Sequence, residues 1–168
     1  ALVVSEEGTR PKETFVLLRG NPQSKGDQVE PGFPSVLFPA GMPKTPEAKP
    51  SADGRSSGRR RVLADWIASP QNQLTPRVLV NRVWQYHFGS GLSATPSDFG
   101  IVGDEPTHPE LLDWLATELV KQDWSLKQLH RLIVTSATYR QSSSTPHSAL
   151  HTPHSTDLWL ARFPRLRL

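Results

Sequence analysis

The stretch from Arg59 to Gln141, RRRVLADWIASPQNQLTPRVLVNRVWQYHFGSGLSATPSDFGIVGDEPTHPELLDWLATELVKQDWSLKQLHRLIVTSATYRQ, holds four apolar-periodic segments, each bounded by helix signals. The first runs from about Arg59 to Ala68 and ends at Ser69, because a residue that precedes proline, here Pro70, is pushed out of helical backbone space. Val62, Leu63, Trp66 and Ile67 form its apolar stripe. In the second, Thr75 suits the N-cap, Pro76 the first helical position and Gly89 the left-handed residue past the end. Leu79, Val80, Val83, Trp84, His87 and Phe88 share one face, with Arg77, Asn81, Arg82 and Gln85 as a polar strip beside or opposite it. Capping boxes announce the other two helices, Thr107 with Glu110 and Ser125 with Gln128. Leu111, Leu112, Leu115, Ala116, Leu119 and Val120 then repeat at helical spacing, as do Leu126, Leu129, Leu132, Ile133 and Ala137.

Outward from this core the chain loses regularity. Thr14 to Gly20, TFVLLRG, reads as one strand closed by Gly, Asn and Pro. Residues 21–58 hold many of the 16 prolines and read as irregular coil or polyproline-like linker, since proline fixes one dihedral and removes a donor. After Gln141 a Ser-, His- and Pro-rich spacer leads to an amphipathic closing helix from Asp157 to Leu168 that lacks a C-cap. The expected fold is therefore mainly α, a compact helical domain of four to five helices with a short strand-bearing, Pro-rich N-terminal arm. Its expected division is arm and linker over 1–58, helical core over 59–141, and spacer with incomplete closing helix over 142–168.

A chain of 168 residues can bury a core without staples. With no cysteine, disulfide, zinc-thiolate and covalent c-type haem chemistry are closed to it. The net charge of +3 is small, although Arg55, Arg59, Arg60 and Arg61 cluster, as do Arg162, Arg165 and Arg167. No apolar run reaches the length of a membrane span.

The connection between the second and third helices, GSGLSATPSDFGIVGDEPTHPE, is long for a helical protein and collects Asp98, Asp104, Glu105 and His108. Asp98 and His108 are the catalytic candidates, as an acid/base pair in which the carboxylate orients the imidazole; with Asp104 they are also the weak metal candidates, although no metal is expected. The plainer reading gives Asp98 a turn and His108 the first helical turn. Asp98-Phe99-Gly100 matches a kinase tripeptide, but no phosphate loop accompanies it. His147, His151 and His154 lie at a spacing that would share a helical face, within a sequence that opposes helix. The turn at Gln122, Asp123 and Trp124, followed by Lys127, Gln128, His130 and Arg131, looks superficially like a DNA-reading helix-turn-helix; without a glycine in the turn or a strong positive charge, nucleic-acid binding is the weakest class. Of the five tryptophans Trp66, Trp84, Trp114, Trp124 and Trp159, Trp114 alone falls off its helix's apolar face, and an exposed indole can stack on a sugar ring. Asn81, Arg82, Trp114 and Arg140 are the binding candidates.

Four segments, FVLLRGNPQSKGDQVEPGFP, LADWIASPQNQLTPRVLVNRVWQYHFGSGL, SDFGIVGDEPTHPELLDWLA and WSLKQLHRLIVTSATYRQSS, carry a resemblance to a planctomycete-type, cytochrome c-associated C-terminal domain of unknown function, the domain of unknown function 1553 family. The resemblance implies a place at the end of a large extracytoplasmic protein, in the periplasm or at the cell surface, with haem c on a separate domain and no cofactor in this chain. Its implied partners are the other domains of the parent protein and a polysaccharide. It also implies that the RFPRLRL segment continues into a longer helix. The function expected is a scaffold or docking module; the alternative is a metal-dependent or acid/base hydrolase-like enzyme acting on carbohydrate through the Asp98 to His108 loop.

Overall fold

The computed structural model describes residues 8–37, 47–142, 160 and 163. The expectations for His147, His151, His154, Trp159, Arg162, Arg165, Arg167 and the closing helix lie outside these residues, Leu160 and Phe163 of that helix excepted. The described residues hold four α-helices and one two-stranded antiparallel sheet. The chain forms two compact units, Ala1–Asn72 and Gln73–Leu168.

In the first unit, strand β1 (Thr14–Leu17) pairs with strand β2 (Lys25–Val29), Thr14 opposite Val29 and Leu17 opposite Lys25, with a bulge between Phe15 and Leu17. The single strand expected through Gly20 is thus the first arm of a hairpin, and part of the expected coil is its second arm. The chain reverses through one 3-10 turn, Leu18–Gly20, in which Arg19 takes a left-handed backbone at φ 52°, and the Leu18 N–H donates to the Ser24 carbonyl at 2.9 Å. The Lys25 ammonium sits 4.9 Å over the Phe15 ring, a cation–π contact that helps an otherwise open ribbon. Helix α1 (Arg59–Ile67) follows Gly58, whose φ of 79° and close approach to the Lys49 carbonyl both require the absence of a Cβ. The stripe expected on α1 is only partly realised: Val62 and Trp66 are half-buried, with Trp66 stacked on Phe33 at 4.7 Å, while Leu63 and Ile67 stay exposed.

The second unit holds helices α2 (Leu74–Phe88), α3 (Pro109–Lys121) and α4 (Leu126–Thr135). Val80, Val83, Trp84 and Phe88 of α2 meet Leu112, Leu115, Ala116 and Leu119 of α3, and Leu129 and Ile133 of α4 complete the core with Leu92. Each of the Val, Leu, Ile and Phe side chains among these contributes about 1.5–3 kcal/mol when taken out of water. Two starts differ from expectation. Helix α2 begins two residues early, after Gln73, so Thr75 and Pro76 lie inside its first turn, where the missing proline N–H has no intrahelical partner to lose. At α3 the N-cap is His108 rather than Thr107, and the box with Glu110 does not form, because Thr107 turns back to the Leu92 carbonyl. The other box is present in part: the Ser125 hydroxyl accepts from the Gln128 N–H at 3.4 Å. Gly89, at φ 84°, ends α2 as expected, its N–H donating to the Gln85 carbonyl at 2.8 Å. Helix α3 ends in a Schellman motif without glycine. Asp123 and Trp124 are left-handed at φ 51° and 58°, with Trp124 N–H on the Leu119 carbonyl at 2.9 Å and Asp123 N–H on the Val120 carbonyl at 3.1 Å.

Candidate functional site

The α2–α3 connection is built around Asn81, which the polar-strip reading turned outward and which is in fact 0% exposed. The Ser93 N–H donates to Asn81 Oδ1 at 2.9 Å, and Asn81 Nδ2 donates to the Ser93 carbonyl at 3.0 Å. Gly91 passes so close to this amide that a Cβ would stand 2.7 Å from either of its terminal atoms. One residue before Ser93, the Leu92 carbonyl accepts from the Thr107 N–H at 2.8 Å and from its hydroxyl at 3.2 Å. Ser93 Oγ donates to the Asp104 carbonyl at 3.2 Å. The segment between Leu92 and Thr107 is therefore an Ω-loop, pinched shut at its neck.

Within the loop the polar groups shape the backbone. Thr95 Oγ1 donates to the Asp98 carbonyl at 3.1 Å and accepts from the Asp104 N–H at 2.8 Å. The Asp98 carboxylate accepts from the Gly100 N–H at 2.9 Å, a turn closed by its own side chain. Phe99 packs against the core as an anchor, while Ile101 and Val102 stand at the tip, 105% and 90% exposed.

His108 Nδ1 lies 3.0 Å from Thr107 Oγ1, and no hydrogen bond or ion pair joins the ring to Asp98. Asp104 and Glu105 are exposed. Among the described residues no group of three or more His, Cys, Asp or Glu side chains converges on a point that could hold a metal ion. Of the binding candidates, Arg82 and Arg140 are exposed and Trp114 is 48% exposed. Beside Trp114, the Arg77 guanidinium donates to Asp113 at 2.5 Å across the α2–α3 surface; this hydrogen bond, reinforced by the guanidinium charge and opposed by slight burial, holds the Asp113 carboxyl below its ordinary value. In the first unit, a depression of about 510 Å³ is lined by Lys49, Ser51, Ser56, Arg61 and Asp65, and Arg61 lies 3.9 Å from the Asp65 carboxylate.

Two further residues meet that the sequence keeps 43 positions apart. His87 Nε2, in the last turn of α2, stands 2.8 Å from His130 Nδ1, midway along α4. The rings are edge to face, with centroids 5.0 Å apart. Tyr139 meets the His87 ring edge-on at 5.6 Å and Phe163 at 5.0 Å, and Phe88 lies 5.8 Å from both, so a ledge of aromatic rings backs the histidine. Burial, and then the facing His130, lower the His87 pKa, which favours the neutral ring. In the sequence His87 falls on the apolar face of one helix and His130 in the helix-turn-helix-like segment, and no local spacing links them.

No curated protein and no solved structure matches the chain. A family model described as "Protein of unknown function (DUF1553)" matches residues 59–168, which span α1 to α4 and the whole Ω-loop between α2 and α3. The chain belongs to that family.

Proposed function

We propose that this domain is a docking or scaffold module of a larger exported protein, packed against neighbouring domains of the same polypeptide that include cytochrome c-like ones. The observation that carries the reading is the Ω-loop tip: Ile101 and Val102 are almost wholly exposed on a backbone braced by Asn81, Thr95, Asp98 and Thr107. A surface already held in one conformation loses little entropy on binding, and adjacent aliphatic side chains on such a surface mark a contact site rather than a solvated turn. No helix among the described residues is long and apolar enough to cross a membrane. Hydrogen exchange on the intact parent protein and on this chain alone tests the reading. Slower exchange at residues 98–104 in the parent, lost in Ile101→Ser/Val102→Ser, supports docking; equal exchange in both overturns it.

Trp114 favours a second reading, contact with polysaccharide, because its indole is 48% exposed on the solvent side of α3. Quenching of tryptophan fluorescence by soluble polysaccharides, absent in Trp114→Ala, is the expected result; no quenching excludes it. The hydrolase-like form of this reading needs Asp98 and His108 to act together. Turnover of a carbohydrate, abolished by Asp98→Asn in a folded protein, would establish it.

A further inference from the structure

We propose that His87 and His130 form a two-imidazole site for a borderline divalent transition-metal ion such as zinc, nickel or copper, which clamps the end of α2 to the middle of α4. His87 Nε2 and His130 Nδ1 point at one another across 2.8 Å, so one ring nitrogen carries a hydrogen and the other offers its lone pair. Imidazole is the donor such ions prefer among neutral side chains.

The geometry needs little change to admit an ion. Two imidazole nitrogens on one tetrahedral ion, each at about 2.0–2.1 Å, stand about 3.3 Å apart, and their ring centres about 5.2 Å apart. The observed ring centres are 5.0 Å apart. The rings would tilt so that both nitrogens swing to one side, opening the pair by about half an ångström with hardly any movement of the ring centres. The hydrogen between the nitrogens would move to the outer nitrogen of the ring that carries it, so both rings remain neutral and no net proton is released.

Position favours the same conclusion. Each histidine stands on a separate helix, and the helices are held by core residues Phe88, Leu129 and Ile133, so the pair is placed before any ion arrives. Tyr139, itself packed on Phe163, forms a wall on one side of His87, while His130 is exposed, which leaves a path from solvent. Two protein ligands leave two tetrahedral positions for water, or for donors that a neighbouring domain brings to the ion.

The pair shares no residue with the Ω-loop tip, so its failure and the failure of the docking reading are distinguishable. The chain has six histidines, His87, His108, His130, His147, His151 and His154, and the test must separate the pair from the rest. Equilibrium dialysis against zinc should load one ion per chain in a variant with His147, His151 and His154 changed to Ser. Adding His130→Gln should weaken uptake at least about tenfold with the far-ultraviolet circular dichroism unchanged; since His130 is exposed, this variant folds even where His87→Gln does not. With copper(II), electron paramagnetic resonance of the triple-Ser variant should show coupling to two imidazole nitrogens. Undiminished uptake in His130→Gln, loss of uptake in the triple-Ser variant, or coupling to fewer than two nitrogens would overturn the proposal.

Discussion

Asn81 and Ser93 exchange two hydrogen bonds inside the protein, the Asn81 side-chain amide pairing with the Ser93 backbone as a neighbouring strand would. Both residues are buried, and the bond pair joins the middle of α2 to the first turn of the long loop. Replacing the amide leaves a buried N–H and a buried carbonyl without partners. Asn81→Ala should therefore lower stability by about 2–4 kcal/mol, about 1–3 for each stranded group with some relaxation. Urea denaturation giving less than about 1 kcal/mol would show that water replaces the amide.

Trp84 and Trp114 should separate cleanly. Trp84 is buried against Phe88, with ring centroids 4.1 Å apart, so Trp84→Ala should cost about 3–5 kcal/mol. Trp114→Ala, on the solvent side of α3, should stay within about 0.5 kcal/mol. Thermal melts of both variants check the contrast, and equal costs would refute it.

How far the chain could be read from its letters follows from the range of each interaction. Gly89 and Ser125 act on backbone within four residues, so the end of α2 and the start of α4 were legible. Strand β2, KGDQV, carries almost no apolar alternation and exists because a tight turn returns it to β1. Thr107 has the local chemistry of an N-cap, yet the Leu92 carbonyl, fifteen residues away, takes its hydroxyl. Asn81 reads as surface because its buried partner is backbone, which has no letter. The His87–His130 contact depends on α2 and α4 being folded and packed, and its 43-residue separation leaves no motif.

The Arg77–Asp113 pair predicts a small acid limb in stability. The folded Asp113 carboxyl titrates below the ordinary carboxylate range, so the folded state binds fewer protons than the unfolded one as pH falls through that range. Its contribution is complete above the unfolded value and is lost as pH drops through the lower folded value. Because the Asp113 side chain is 53% exposed, solvent screening keeps the effect to about 0.2–1 kcal/mol. Comparing Asp113→Asn with the parent sequence should show a larger difference at pH 7 than at pH 2; a difference that grows toward pH 2 has the wrong sign.

Asp98 and Gly103 should differ in how they affect the loop. Asp98→Asn keeps the side-chain oxygen that accepts from Gly100 and should change stability by less than about 0.5 kcal/mol, while Asp98→Ala should cost about 1 kcal/mol. At Gly103 a Cβ would collide with the Asp98 carbonyl, so Gly103→Ala should disturb the loop more than either. Amide exchange across residues 95–104 reads all three, and a silent Gly103→Ala would mean that the backbone there gives way readily.

The closed neck of the Ω-loop makes the segment between Leu92 and Thr107 a cassette. Its two ends already touch through the Thr107 N–H and the Leu92 carbonyl, so α2 and α3 do not depend on the length of chain that runs out and back. Lengthening a loop whose ends are fixed costs only about 0.6 kcal/mol per doubling. Insertions at the exposed Ile101–Val102 tip can therefore vary among relatives while the helices behind them stay in place, and a foreign peptide or reporter grafted there would be carried without refolding the domain.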